Sequence, residues 1–195
     1  MQQTLVWKPW HNPGVENLRL HINEHGIHAS SHLMQSLRGD SIVASYVLDC
    51  DPQWRFRRLW LKVDNHGQRR LELRRDIRGQ WFHNGEPRPD LAQCQQIMLS
   101  DSPFTHTPAL QRCALETGQS EKLQVAYVDL LSLRVEARSK RYQRLRQDGC
   151  TTLYRSELEG LPSRELAVDE HALLVKASDQ FLRLSAKELK LNTWV

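Results

Sequence analysis

Along much of this chain apolar residues alternate with polar ones at a period of two, and short turn sequences cut the alternation into segments. Leu18, Leu20 and Ile22 interleave with Arg19, His21 and Asn23, and Leu71 and Leu73 interleave with Arg70, Glu72 and Arg74. Leu123, Val125 and Tyr127 continue the pattern, followed by Leu131, Leu133 and Val135. A period of two puts one side of each segment against a core and the other in water, as in a half-buried strand. The segments are separated by His25-Gly26, Arg38-Gly39-Asp40, Asp51-Pro52, Asn84-Gly85 and Asp148-Gly149. Asn-Gly and Asp-Gly supply the positive φ values that tight hairpins need. Short alternating strands joined this way build an antiparallel sandwich, barrel or roll. No repeat, linker or low-complexity stretch interrupts residues 1–195, so one domain is expected.

One stretch breaks the alternation. In Thr105-His-Thr-Pro-Ala-Leu-Gln-Arg-Cys-Ala-Leu115, Thr107 suits a helix cap and Pro108 the first helical position. Leu110 and Ala114 then share a face and Gly118 ends the run, which predicts one short helix plugging a curled sheet. The segment from Ala186 to Val195 reads as either a short helix or a tail.

Composition narrows the class. A charged fraction of 26% with 39% hydrophobic residues is that of a globular chain. Its length buries enough surface to need neither a disulfide nor a metal staple. The N-terminus has no signal-peptide pattern, no run is long enough to span a membrane, and the four cysteines are widely spaced. These features predict reduced thiols in a cytoplasmic protein with no cofactor. The net charge of +4 owes much to arginines between Arg55 and Arg78, which suit a solvated strand face as well as a phosphate-binding one. Without a recognition helix or an aromatic RNA-binding motif, nucleic acid is not an expected partner.

Motifs for chemistry are sparse. His21, His25, His28 and His32 would share a face on a helix, but Gly26 and the flanking alternation favour a hairpin over a metal site. Asp101, Ser102 and His106 place a carboxylate, a hydroxyl and an imidazole close together, in a loop entering the helix. Triad members normally come from separate elements. The six tryptophans stand out more: Trp54 follows an Asp-Pro turn and Trp81 precedes Asn84-Gly85. Such residues either close a core or line a cavity mouth with arginines near them.

Three stretches resemble, in order, a family of bacterial proteins described as putative glycolipid-binding. They are Tyr46-Val-Leu-Asp-Cys-Asp-Pro-Gln-Trp-Arg-Phe-Arg-Arg58, then Leu71 to Leu99 with Asp76-Ile-Arg-Gly-Gln-Trp81, and Ser102-Pro-Phe-Thr-His-Thr-Pro-Ala-Leu-Gln-Arg112. They lie between residues 46 and 112, and the resemblance orders the chain over about residues 16–184. Departures fall at Phe56 (usually Thr), Gln95-Gln96-Ile97 (usually acidic), His106 (usually Asn) and Lys176 to Phe181. The resemblance implies a mostly β fold, a single-domain antiparallel spiral β-roll wrapped around one short helix, in a protein that dimerises. It also implies a non-enzymatic binder of a glycolipid or similar amphipath. On that reading Trp54, Trp81 and Phe104 cover the ligand, and Arg57, His106 and Arg112 meet its head group. The alternatives are a dimeric interaction protein without a small ligand, and a lipid or sugar-ester hydrolase acting through the Asp101 to His106 loop.

Overall fold

The computed structural model describes residues 1–185; the expected helix or tail at 186–195, and Trp194 with it, lie outside the described residues. Within them, fifteen strands form one sheet. The first half comprises β1 (Gln2–Pro9), β2 (Gly14–Asn23), β3 (Gly26–Leu37), β4 (Asp40–Cys50), β5 (Phe56–Asp64), β6 (Gln68–Arg75), β7 (Trp81–His83) and β8 (Glu86–Pro87). The second comprises β9 (Cys94–Leu99), β10 (Ser120–Val128), β11 (Val135–Asp148), β12 (Thr151–Leu158), β13 (Arg164–Val168), β14 (Leu174–Ala177) and β15 (Phe181–Arg183). Across the sheet the order runs from β8 back to β1, then from β15 back to β9. Each half is a meander of sequence neighbours, and the halves are joined where Trp7 to Pro9 of β1 pair with Phe181 to Arg183 of β15.

The turns explain the hairpins. Asn23 Oδ1 accepts the backbone N–H groups of His25 and Gly26, closing β2 onto β3. Asn84 and Gly85 both take positive φ, 50° and 89°, between β7 and β8, as a two-residue hairpin turn requires. Burial alternates along β2 to β6, with Leu18, Leu20, Leu59, Leu61, Leu71 and Leu73 facing inward. The alternation misplaces Leu131 and Leu133. They lie in the β10–β11 connection, where Asp129 Oδ1 accepts the N–H and hydroxyl of Ser132 and Leu133 turns at φ 57°.

Every pair is antiparallel except β9 beside β10. Parallel neighbours need a crossover of a dozen or more residues, and the segment from 100 to 119 is that crossover. It carries a tight helical turn, Pro103–His106, and then α1 (Thr107–Arg112). This helix is shorter than expected and its start differs. The turn begun at Pro103 already holds His106 in helical geometry, so Thr107 is not a cap; its hydroxyl donates to Ala172 O instead. Cys113 leaves the helical region, and Ala114 is exposed beyond the end.

The sheet curls until β5 meets β9 near its far edge. Its inner face holds a continuous core that includes Phe104, Ala109 and Leu110 from the crossover. Phe56 and Trp81 stack within it, ring centroids 5.0 Å apart. Trp7 is fully buried and donates from its indole nitrogen to Leu174 O.

Candidate functional site

Three of the residues expected to meet a ligand come together at one end of the roll. Asp51 heads the β4–β5 turn, and its Oδ1 accepts the N–H groups of Gln53 and Arg55. That turn sets Trp54 at φ 60°, half-buried against the core, just before β5 begins at Phe56. Arg57, one strand position on, donates from Nη2 to Asp51 Oδ2 at 2.7 Å and from Nη1 to Asp76 O at 3.2 Å. Burial would raise Asp51, but hydrogen bonds from Arg55 and Arg57 hold its carboxyl below the usual range. Arg112, in the last turn of α1, brings a further guanidinium from the crossover.

The residue that sequence reasoning missed stands between them. Burial, and then the neighbouring cations Arg57, Arg112 and Arg55, hold the Arg75 guanidinium below its ordinary value; only Asp76 opposes them. Its Nε is buried without a hydrogen-bond partner. Neither Arg75 nor Arg112 forms an ion pair within the described residues. Four arginines therefore converge on a place with two carboxylates, one already paired with Arg57. Unpaired buried charge is costly to a fold, and such clusters are typical of sites that take an oppositely charged group. Beside the cluster the β6–β7 loop extends Ile77, 89% exposed, into solvent. Arg75 ends β6, so a scan for arginines at strand ends flanking Asp76 would have found it.

Trp81 and Phe104 do not cover a cavity. They are 2% and 0% exposed, and the Phe56–Trp81 stack fills the space beneath the arginines. Their size and apolarity make them core residues.

His106 lies elsewhere. Its Nδ1 is 2.9 Å from the Tyr142 hydroxyl, and burial, then the nearby Lys140, push its pKa well down, so the imidazole is neutral. With Ser102, Lys140 and Ser156 it lines a narrow cavity of about 40 Å³ between the crossover and β11 to β13. Ser102 also joins a buried network: Glu16 Oε1 accepts from Ser31, Tyr46 and Ser102 at 2.8–3.0 Å. Burial, only partly offset by these bonds, pushes the Glu16 carboxyl up to about 7. Asp101, Ser102 and His106 thus do not meet as a triad: serine and histidine bond to different partners, and the Asp101 carboxyl is hydrogen-bonded by Ser100.

The outer face of the sheet carries a shallow groove of about 370 Å³, lined by Val47, Trp60, Lys62, His32 and Arg70 among others. Trp60 sits there because Leu59 and Leu61 on either side point inward, so the alternation alone assigns it to the outside. The Arg58 guanidinium lies 5.5 Å from its ring centroid. The histidine-rich segment is the β2–β3 hairpin, with His21 opposite His28 and His28 Nδ1 2.7 Å from Asp49. No helix of the described residues is long and apolar enough to cross a membrane.

Comparison with known proteins places the chain among relatives of this fold. Residues 4–183 match the model of a family described as "Putative glycolipid-binding". A crystal structure of a DUF1089 family protein from Pseudomonas aeruginosa is similar at 30% identity and a TM-score of 0.77, covering 90% of this chain and 95% of that one. No curated protein matches.

Proposed function

Since the chain belongs to the putative glycolipid-binding family, we propose that it binds an amphipathic, glycolipid-like molecule through an anionic head group at the Arg57–Arg75–Arg112 cluster. The observation that supports this reading is Arg75, buried at its Nε without a partner and surrounded by more cations than anions. A phosphate or carboxylate there would accept from guanidiniums that now lack acceptors, and charge-assisted bonds of this kind are the strong ones. The stacked Phe56 and Trp81 rings are buried in the core, so the apolar part lies across Trp54 and Ile77 at the surface. Titration with a soluble fluorescent lysophospholipid bearing a phosphate head tests this, against a neutral-headed analogue of equal chain length. The phosphate probe binds at least tenfold tighter, and Arg75→Met removes the difference. Equal affinity for both heads would refute the assignment.

A second reading, self-association, draws on the outer face. Val15 pairs across the strands with Met34 and Met34 with Val43, and all three are exposed, at 38%, 56% and 51%. A row of this kind suits an isologous contact between two copies. Light scattering on the wild type and on Met34→Lys decides: a dimer that becomes a monomer supports this surface, whereas a monomeric wild type removes it.

A further inference from the structure

The cavity around His106 contains a pairing that ligand binding at the arginine cluster does not use. Lys140 on β11 and Ser156 on β12 are 3% and 4% exposed, and Nζ lies 2.6 Å from Oγ. No carboxylate pairs with Lys140 within the described residues. A lysine buried among apolar strands without a counter-ion favours its neutral form. A neutral amine at hydrogen-bond distance from a serine is the arrangement that activates a hydroxyl as a nucleophile. Both residues line the same cavity, whose outer wall is formed by Leu161, 48% exposed, and Pro162.

We propose that Ser156 and Lys140 form a nucleophile–base pair that hydrolyses small esters, with an O-acetyl group as the acyl class the cavity admits. Its small volume, about 40 Å³, favours the shortest acyl groups. Ser156 Oγ attacks the ester carbonyl while Lys140 Nζ takes the hydroxyl proton. The tetrahedral adduct collapses, the C–O bond to the alcohol breaks, and Lys140 returns the proton to the departing alkoxide. Water, deprotonated by the same amine, then attacks the acyl-serine; acetate leaves and Ser156 regains its proton. The reaction consumes one water and no oxidant or reductant.

The groups facing Lys140 set its titration. Burial holds it down to about 7. Tyr142 beneath it, His106 from the crossover, Tyr127 from β10 and Arg164 from β13 share the cavity or its wall, and Glu16 lies behind Ser102. Burial keeps both Tyr142 and Tyr127 protonated at neutral pH.

The test uses the full chain with a small alkyl fluorophosphonate and with p-nitrophenyl acetate, read by peptide mass mapping and acetate release. The expected result is one adduct, on Ser156. Its rate rises with pH through about 7 as Lys140 loses its proton. Ser156→Ala abolishes labelling, Lys140→Met slows it at least tenfold, and Ser120→Ala, on the exposed start of β10, retains it. Thermal melts of all variants separate loss of chemistry from loss of fold. Absence of an adduct on the folded wild type overturns the proposal. So does labelling at another residue, or a rate indifferent to Lys140→Met. None of these outcomes bears on the head-group site, which the lysophospholipid titration addresses separately.

Discussion

The Glu16 carboxylate and the Tyr46 hydroxyl meet 2.8 Å apart in the core, linking β2 to β4 over the intervening strand β3. Ser102 touches both, so the crossover is tied to the same point. The other carboxylate oxygen, Oε2, is buried without a partner. The group therefore favours its protonated form.

Two buried groups with opposite preferences shape the pH dependence of stability. Glu16 is raised from 4.5 to about 7, so its favourable contribution is complete below about 4.5 and is lost as pH rises through 7. Lys140 is lowered from 10.5 to about 7, so stability recovers as pH climbs from 7 toward 10.5. Together they place a minimum of stability near neutral pH. Chemical denaturation from pH 5 to 9 should show Glu16→Gln removing the fall between 5 and 7, a change on the order of 3 kcal/mol. An unchanged profile in that variant would assign the dependence to other groups.

Removing Arg75 should separate stability from binding. The guanidinium is crowded by Arg57, Arg112 and Arg55 and has an unpaired buried Nε. Arg75→Met keeps the stem's packing and removes the repulsion, so the melting temperature should hold or rise while phosphate-headed probe binding falls. Sites kept at a cost to stability behave in this way.

Gly26 and Gly39 offer a controlled pair. Both have positive φ, but a Cβ at Gly26 would lie 2.4 Å from Cys50 O, whereas one at Gly39 meets nothing. Gly26→Ala should cost roughly 3 kcal/mol or more, against about 1 kcal/mol for Gly39→Ala, in urea unfolding.

Trp81→Ala should cost about 3–5 kcal/mol, since it empties a fully packed site and breaks the stack on Phe56. Any remaining folded protein should still prefer the phosphate-headed probe. That outcome would separate a core residue from a ligand contact, roles that residue type alone does not distinguish.

Period two was enough to place Leu18, Leu20 and Leu73 inward and Arg19 and Arg74 outward, because a strand leaves each side chain a choice of only two faces. It failed at Leu131 and Leu133, where Asp129 captures Ser132 and bends the chain despite a strand-like pattern. The helix was legible from Pro108, but its start was not, since the turn beginning at Pro103 is held by contacts with distant strands. Trp54, Arg57 and Arg112 belong together in the fold, and motif resemblance found them. Arg75 completes the cluster through the β5–β6 hairpin, whose register pairs Arg58 with Arg74, whereas His106 departs from it because the crossover carries it to the Tyr142 side. Lys140 and Ser156 meet through the β11–β12 hairpin, whose turn at Asp148-Gly149 was legible, but the register shift between Arg144 and Arg146 that sets their pairing was not.

The seam between β1 and β15 sets the order in which a growing chain can complete itself. The hairpins from β1 to β8 can zip up as they leave the ribosome, since each strand's partner has just been made. The inner flank of β1 cannot: its backbone groups wait for Phe181 to Arg183, which lie far along the chain from Trp7 to Pro9. Until then the middle of the finished sheet is an open edge. A nascent chain is thus most exposed to pairing with another copy at the place that ends up most protected. Truncation before Phe181 would make that exposure permanent.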